Sequence, residues 1–313
     1  MSDSADKGSW KDRVGVFGDL PTRFLLSGLK NAPWFIEWSL VPIWTLVFFG
    51  LAGEQRRAVV SNLGALFPEW SGFRCVAGAY RVFLNFAWTY VDAMRCEAGT
   101  GDVDWVVDGI ASFEELAALE EGSLILTAHM GNYDMAAALF ASNFGRTVYA
   151  VRAPERVAEM QKIKEAELKE KERENPFFRT LYNTDGDMLG VELARLLGEG
   201  HVVAIQGDRV MFEVSSMEVE VEPGLVVSLP RGPLFLARVS KAAVYPLFIL
   251  RDGWRRYRVQ VSPALELPPR RRGPGEDPAS QIWAETILDV VRPNWDQWFV
   301  FEPVLKRVER SEA

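Results

Sequence analysis

The chain has 313 residues, of which 48% are hydrophobic and 25% are charged, and its formal net charge is −8. This length allows one large α/β domain or two smaller ones. The negative charge argues against general nucleic-acid binding, which needs a basic surface, and gives no global attraction to an anionic membrane. We therefore expect no nucleic-acid partner, and we expect any membrane contact to be local or apolar.

Cysteine and histidine are both scarce. Cys75 and Cys96 are far apart and form no C-x-x-C unit, so we expect reduced thiols in a cytosolic environment. Two scattered histidines leave too few ligands for a metal site, and we predict none. The first nine residues are mostly polar and no cleavage site follows, so no signal peptide is expected.

Residues 33–53 are strongly apolar and long enough for a transmembrane helix. Glu37 and Pro42 lie inside this segment, and an acid in mid-membrane costs about 2.5–3.5 kcal/mol, less near a helix end. Two interpretations stay open: a single N-terminal span, or a helix that lies in the interface or packs on the domain. We favour the second. Residues 56–67 and 73–96 read as two further helices.

The central stretch of the chain predicts a strand, a turn and a helix. The apolar run 124–128 reads as a buried strand, and residues 135–140 favour a helix. His129 and the pair Gly131-Asn132 lie between them. This places His129 at the carboxyl end of a buried strand, where open α/β sheets bind ligands.

His129 is the candidate general base, because an imidazole ionises near physiological pH. Asp134 follows five residues later and could hold the other ring nitrogen. On a continuous helix the two side chains would point about 140° apart, so they meet only if the chain turns at Gly131-Asn132. The alternative is a histidine that a backbone carbonyl satisfies at a strand end.

Two later strands also end in polar residues. The run 147–152 ends in Arg152, whose planar fork suits a phosphate or a carboxylate, unless it is only a surface charge. The run 201–205 is followed by Asp208 and Arg209, which could form a structural ion pair or bind the head group of an acceptor. His201 opens that strand at the far end and reads as structural.

The remaining elements complete an α/β pattern. Residues 216–222 alternate acidic and apolar side chains, as in a half-exposed strand. Two strands, 243–250 and 257–261, flank an Asp252-Gly253 turn signal. We predict a central mixed, largely parallel sheet flanked by helices, with an N-terminal apolar helical region. Helices are expected at residues 112–119 with a capping box, at 155–174, at 188–197, from about 231 and from about 281.

Several motifs resemble one family. The run Thr127-Ala-His-Met-Gly-Asn-Tyr-Asp134 resembles the H-x4-D/E box of the lysophospholipid acyltransferase superfamily. It is most similar to the branch of bacterial lipid A lauroyl/myristoyl acyltransferases, and it is also similar to phosphatidylinositol mannoside acyltransferase. The resemblance covers about residues 33–305. Its other matching segments are Arg56-Arg57 with Asn62-Leu63 and Phe67-Pro68, Gly207-Asp208-Arg209, Pro230-Arg231-Gly232, and Pro293 with Trp295 and Trp298.

The resemblance implies transfer of a fatty acyl group from a thioester of acyl carrier protein or coenzyme A to a hydroxyl or amine of a lipid or glycolipid. No bound cofactor and no acyl-enzyme are implied, and the chain has no Gly-x-Ser-x-Gly elbow. His129 would take the proton from the acceptor while Asp134 orients the imidazole. Backbone N–H groups around Gly131 and Asn132 would stabilise the oxyanion. Apolar residues of the N-terminal helices would hold the acyl chain.

The same resemblance supplies further substrate-binding candidates and a location. These candidates are Arg152, Asp208, Arg209, Arg231 and an acid near the histidine, for which Glu218 matches best although its register is open. The expected location is the cytoplasmic face of the bacterial inner membrane, with peripheral attachment or a single N-terminal anchor. The membrane surface is then a partner.

The predicted organisation has four parts: a tail and lead-in at 1–32, a helical membrane-proximal region at 33–98, the acyltransferase core at 99–305 and a tail at 306–313. Two alternative functions stay open, an acyl-thioester hydrolase and a non-catalytic protein that binds lipid or acyl carrier. Whether loss of the thioester requires an acceptor distinguishes transfer from hydrolysis.

Overall fold

The computed structural model describes residues 33–97, 99–154, 158–183, 188–210, 214–269 and 277–308. The predicted tail at 1–32 and most of the predicted tail at 306–313 lie outside these residues. In the described part, the helices are α1 (Trp34–Leu51), α2 (Gly53–Leu66), α3 (Gly72–Glu97), α4 (Ile110–Ala118), α5 (Tyr133–Phe140), α6 (Ala158–Glu174), α7 (Leu189–Gly198), α8 (Arg231–Ser240) and α9 (Ala279–Val291), with short 3-10 turns at Ala141–Phe144 and Trp295–Gln297.

Within the described residues, ten strands form two sheets. Their bounds in chain order are β1 (Asp104–Asp108), β2 (Ser123–Thr127), β3 (Val148–Arg152), β4 (Phe178–Tyr182), β5 (Val202–Gln206), β6 (Ser216–Glu222), β7 (Leu225–Pro230), β8 (Ala243–Gly253), β9 (Arg256–Val261) and β10 (Leu305–Arg307). Seven of them form the main sheet in the order β1-β9-β8-β2-β5-β3-β4. The other three form a small sheet in the order β10-β7-β6.

The main sheet is largely parallel. Strand β2 lies at its centre and runs parallel to both β5 and β8. Strands β3, β4 and β5 also pair in parallel, as do β1 and β9. The β8–β9 hairpin is the antiparallel pair in this sheet. The predicted α/β class with a mixed, largely parallel sheet is confirmed.

Both faces of the main sheet are covered by apolar side chains. Every residue of β2 is buried, which is why this strand reads as a continuous apolar run. Successive side chains of a strand point to opposite faces, so Leu124 and Leu126 belong to one core cluster while Ile125 belongs to the other. The second cluster lies under α4 and α5, and includes Phe113 and Ala136.

Helix α1 is attached to the rest of the protein by a buried carboxylate. Glu37 is fully buried and accepts a hydrogen bond of 2.6 Å from Nε of Arg95 in α3. It also pairs at 3.3 Å with Arg255, in the turn between β8 and β9. The charge of Glu37, which made a membrane span less favourable in the sequence analysis, is thus balanced by Arg95 and Arg255 of the folded domain.

None of the helices within the described ranges is, taken singly, long and apolar enough to cross a membrane. Phe35–Leu51 and Gly53–Leu66 pass that test of length and composition only as a pair, with a bend of 94° between them. Membrane contact by residues 33–53 stays a prediction.

Candidate active site

His129 and Asp208 come together because their strands are neighbours in the sheet. Strand β2 ends at Thr127 and β5 ends at Gln206, and these two residues are opposite each other in the parallel register. His129 and Asp208 each lie two residues beyond their strand. The carboxyl edge of the sheet therefore presents both side chains at the same level, where ligands bind in open α/β sheets.

Asp208 holds His129 in one orientation. Nδ1 of His129 lies 2.7 Å from Oδ1 of Asp208, and the backbone N–H of His129 donates to Oδ2 at 2.9 Å. The indole N–H of Trp298 donates to the same Oδ2 at 2.9 Å. Since an ionised carboxylate only accepts, the ring proton lies on Nδ1. Nε2 then keeps its lone pair, and no described residue hydrogen-bonds to it.

The ionisation of the pair suits a general base. Burial lowers the pKa of His129, an effect that the nearby Arg209 reinforces and Asp208 opposes. Burial alone would raise the pKa of Asp208, but its interaction with His129 and the hydrogen bonds from His129 and Trp298 hold that pKa below its ordinary value. At neutral pH the imidazole is therefore neutral beside an ionised carboxylate.

The expected contact between His129 and Asp134 is replaced by other contacts. Asp134 forms a fork-to-fork pair with the guanidinium of Arg152, whose Nη2 lies 3.4 Å from Oδ2, and Lys164 lies 3.3 Å away. Burial alone would raise the pKa of Asp134, but Arg152 and Lys164 hold it far below its ordinary value. The structural reason is that α5 begins at Tyr133, so Asp134 lies in its first turn and faces β3 and α6. The carboxylate on the imidazole comes from the neighbouring strand instead.

Gly131 and Asn132 shape the turn between His129 and α5. Gly131 has φ +52°, and a Cβ there would lie 2.3 Å from the carbonyl oxygen of Ile249. Asn132 caps α5 by accepting from the N–H of Met135 at 3.4 Å, and its amide donates to the carbonyl of Thr89 at 3.2 Å. The first N–H groups of α5 have no partner within the helix and give its start a partial positive charge. The predicted oxyanion role of this turn stays a prediction.

Arg209 lies beside the imidazole together with an acid that the sequence analysis missed. Nη1 of Arg209 lies 3.1 Å from Oε2 of Glu302, and both side chains act on the pKa of His129. The backbone carbonyl of Glu302 accepts from the buried amide of Asn62, which belongs to the Asn-Leu motif of α2. The sequence analysis could not find Glu302 from a helix or strand pattern, because this residue lies in an irregular segment after the final helices.

That C-terminal segment also supports His129 directly. Met130 forms an isolated antiparallel bridge with Trp298, and the N–H of Phe299 donates to the carbonyl of His129 at 2.7 Å. Trp298 is 4% exposed, and its indole holds Asp208. The resemblance had marked this tryptophan without giving it a role.

The structure does not bring Glu218 or Arg231 to His129. Glu218 lies on β6, where its carboxylate is 57% exposed and pairs with Lys306 at 2.6 Å. Arg231 begins α8, where it is exposed and its backbone N–H donates to the carbonyl of Ser215. The acids that act on the imidazole are Asp208 and Glu302.

An apolar cavity of about 60 Å³ lies between α5 and the main sheet. Tyr133 lines it and stands edge-on to His129, with the two ring centroids 5.6 Å apart. Burial and the neighbouring Asp134 raise the pKa of Tyr133 to about 12, so the phenol stays protonated at neutral pH. The neutral side chain of Tyr133 therefore lies between the cavity and the buried His129–Asp208 pair.

The fold and site define an α/β protein with a buried, oriented histidine at the carboxyl edge of a parallel sheet. A family model described as bacterial lipid A biosynthesis acyltransferase matches residues 44–307, well over half of the chain. The chain belongs to this family, and the protein is an acyltransferase. The suspected resemblance to the lipid A acyltransferase branch is confirmed. Among curated proteins, none matches the chain.

Proposed function

We propose that this protein transfers a fatty acyl group from a thioester of acyl carrier protein or coenzyme A to a hydroxyl or amine of a lipid or glycolipid acceptor. Membership of the lipid A biosynthesis acyltransferase family gives the class of reaction. The observation that carries the mechanism is the imidazole of His129, held by Asp208 at 2.7 Å with Nε2 left for an acceptor.

In the proposed reaction, Nε2 of His129 takes the proton of the acceptor hydroxyl as that oxygen attacks the thioester carbonyl. The tetrahedral intermediate collapses by breaking the carbon–sulfur bond. The leaving thiolate takes the proton back from the imidazolium and departs as a thiol. Asp208 keeps the imidazole in the required tautomer and stabilises the imidazolium. No cofactor takes part in these steps.

The start of α5 is the proposed oxyanion site. The N–H groups of Tyr133 and Asp134 have no partner within the helix, and the chain reverses at Gly131 immediately after His129. A carbonyl placed against Nε2 can meet these donors, and the helix dipole adds to their effect. Asn132 takes part through its backbone, since its side chain caps the helix.

Cations around Tyr133 are the proposed site for anionic groups of the substrates. The charges of Arg152, Arg209 and Lys164 all oppose the rise in the pKa of the Tyr133 hydroxyl, which supports a shared cationic environment around that residue. Their charges are partly balanced by Asp134 and Glu302. A phosphate or carboxylate on the acceptor could exchange with these acids, because guanidinium groups bind such anions through paired hydrogen bonds.

Helix α1 is the proposed contact with the cytoplasmic face of the inner membrane. Several large apolar side chains of this helix are exposed, among them Ile43 at 62%, Leu46 at 60% and Leu51 at 66%. Phe73, at the start of α3, is 84% exposed. Many exposed apolar side chains on one helix indicate an interaction site, and a lipid acceptor makes a lipid surface the natural partner. The proposed attachment is peripheral.

The first test is intact-mass analysis of lipid extracts from cells that express the wild type or His129→Ala. We expect a lipid heavier by one acyl group with the wild type alone, because loss of a general base costs about 10²–10⁴ in rate. The mass difference identifies the chain, and the parent mass identifies the acceptor. Equal amounts of the product with both proteins would overturn the role of His129. Thioester loss from purified protein without any acceptor would favour a hydrolase.

A further inference from the structure

The segment 296–305, which follows the last α-helix, lies against the catalytic pair. It brings Trp298 to Asp208 and Glu302 to Arg209. Its regular structure is limited to the end of a 3-10 turn and the first residue of β10. The backbone of such a segment must find its hydrogen-bond partners elsewhere in the fold, and those partners determine its position.

Two carboxamide side chains fix the start of this segment. Gln297 pairs with the backbone of Arg251 in β8: its Oε1 accepts from the N–H, and its Nε2 donates to the carbonyl at 3.0 Å. Asn85 of α3 donates to the carbonyl of Asp296 at 2.9 Å. A carboxamide carries both a donor and an acceptor, so Gln297 replaces the partner that a neighbouring strand would provide.

A third carboxamide, that of Asn62 in α2, fixes the far end. Its Oδ1 accepts from the N–H groups of Val304 and Leu305 at 3.0 and 3.1 Å, and its Nδ2 donates to the carbonyl of Glu302 at 2.8 Å. Asn62 is buried, so water competes little for these bonds. Trp298 therefore lies between two anchored ends.

The indole of Trp298 completes the hydrogen bonding of Asp208. This aspartate is fully buried, and it accepts three hydrogen bonds. Two of the donors belong to His129, namely Nδ1 at 2.7 Å and the backbone N–H at 2.9 Å. The third is the indole N–H, also at 2.9 Å, and it comes from a distant part of the chain. A donor of this kind stabilises the charge of the carboxylate and makes it a weaker acceptor for the imidazole proton.

We propose that Trp298 is a positioning residue for the proposed acyl transfer. Its indole N–H orients the Asp208 carboxylate and holds part of its charge away from the imidazole, which helps Nε2 of His129 to release the proton to the leaving thiolate. The inference rests on the proposed function and adds a residue that acts through Asp208. Arg209, Glu302 and Tyr133 also lie beside the imidazole, and the variants below leave all three in place.

The test observes the imidazole of His129 directly by nuclear magnetic resonance. The chain has two histidines, so the full-length protein with isotope-labelled histidine gives two sets of imidazole signals, and His129→Ala assigns them. Trp298→Phe keeps an aromatic ring but removes the N–H. We expect the titration of His129 to move to higher pH by about one pH unit, because the carboxylate then stabilises the imidazolium more strongly. The Nδ1–H resonance at neutral pH should move downfield, since its acceptor is more basic.

Trp283 supplies the matched control. It is a fully buried tryptophan of the same core cluster as Trp298, but no described residue accepts a hydrogen bond from its indole N–H. Trp283→Phe removes the same ring atoms and should leave both signals of His129 where they are in the wild type. Equal changes in the two variants would mean that packing is responsible, and would overturn the proposal.

Gln297→Ala is a second variant that leaves the indole in the chain. It removes both hydrogen bonds to Arg251 but none to His129 or Asp208. We expect the signals of His129 to move in the same direction as in Trp298→Phe, by a smaller amount. If Trp298→Phe does not fold, this variant decides alone, and unchanged signals overturn the proposal. If Trp298→Phe folds and leaves both signals unchanged, the proposal is overturned as well.

These signals do not depend on any substrate, so they are independent of the lipid analysis. Altered signals in Trp298→Phe, with no acylated lipid from wild-type cells, would support the action of Trp298 on the His129–Asp208 pair and overturn the transfer reaction. Acylated lipid from wild-type cells, with unaltered signals in Trp298→Phe, would overturn the role of Trp298 alone.

Discussion

At the scale of single residues, the catalytic carboxylate is Asp208 in our proposal, although the H-x4-D box pointed to Asp134. His129 could be found from sequence because few histidines are present and this one follows a buried strand. Its partner could not be identified in the same way, because a single sequence does not show which strands are neighbours in a sheet. From sequence, Asp208 was a candidate for a structural ion pair or for binding the acceptor's head group, and it was not predicted to contact His129.

Asp208→Asn and Asp134→Asn distinguish the two carboxylates. The amide of Asp208→Asn can donate to Nδ1 and so favours the wrong tautomer, and we expect kcat to fall by about 10³–10⁴ with little change in KM. Asp134→Asn keeps the His129–Asp208 pair but removes the carboxylate charge that Arg152 and Lys164 share. We expect its main effect on KM and on stability. Steady-state kinetics on both variants provide the measurement, and an equal loss of kcat would count against Asp208 as the orienting group.

The pH profile tests the electrostatic setting of His129. Burial lowers the pKa of this imidazole, and the base is active only when neutral. On lowering the pH, kcat/KM should therefore stay constant through the ordinary histidine value of about 6.5 and decline only below it. A decline centred above that value would contradict the buried, neutral imidazole.

Two charge variants should move the low-pH decline of kcat/KM, called here the acid limb, in opposite directions. Arg209 lowers the pKa of His129 and Glu302 raises it. Arg209→Gln removes a positive charge, so the imidazole is protonated more easily and the limb moves to higher pH. Glu302→Gln removes a negative charge and moves the limb to lower pH. Profiles of kcat/KM for both variants give the check; shifts of the same sign would show that neither charge acts on His129 directly.

At the scale of elements, the seven main-sheet strands were predicted unevenly. Strands β2 and β5 stand out because each carries a continuous run of apolar residues, which is buried throughout β2 and buried at the start of β5. Strand β4 had no predicted counterpart, since its sequence Phe-Arg-Thr-Leu-Tyr mixes polar and apolar side chains and lies at an edge of the sheet. The small sheet was also missed in part, because β7 runs without a loop into α8 and β10 has three residues.

Turns were the least accurate part of the prediction. The Asp252-Gly253 signal suggested the β8–β9 hairpin turn, but both residues belong to β8 and the turn is Trp254-Arg255. Helix α4 begins at Ile110 after a left-handed Gly109, two residues before the predicted capping box. At the hairpin a tertiary contact outweighed the local preference, because Arg255 has φ +55° and binds the buried Glu37.

The turn after His129 offers a test at this scale. Gly131→Ala places a Cβ against the Ile249 carbonyl at φ +52°, whereas Gly145 has φ +60° with open space around its Cβ position. Gly145→Ala should lower the free energy of unfolding by about 1–2 kcal/mol, the cost of the left-handed conformation alone. Gly131→Ala should cost more than this, because backbone must also move. Urea unfolding of both variants measures the difference, and equal losses would mean that the turn relaxes freely.

At the scale of the whole molecule, the chain combines net negative charge with an apolar α1 surface. Glu37 faces Arg95 and Arg255 of the domain, and so the outer side of α1 carries large apolar residues without that acid. The negative charge of −8 opposes attraction to anionic lipid. Any membrane affinity must then come from burial of apolar area, at roughly 25 cal/mol per Å².

This reasoning predicts how the protein binds vesicles. The full-length protein should sediment with neutral phosphatidylcholine vesicles at least as strongly as with vesicles containing phosphatidylglycerol, since apolar burial is indifferent to head-group charge and the net charge of −8 opposes an anionic surface. Leu46→Glu should reduce binding about tenfold or more, because fully burying a leucine contributes about 1.5–3 kcal/mol. Val106→Glu is the control: Val106 is 55% exposed but lies on β1, at the edge of the main sheet. Binding that requires phosphatidylglycerol, or that Val106→Glu weakens as much as Leu46→Glu, would show that α1 is not the membrane contact.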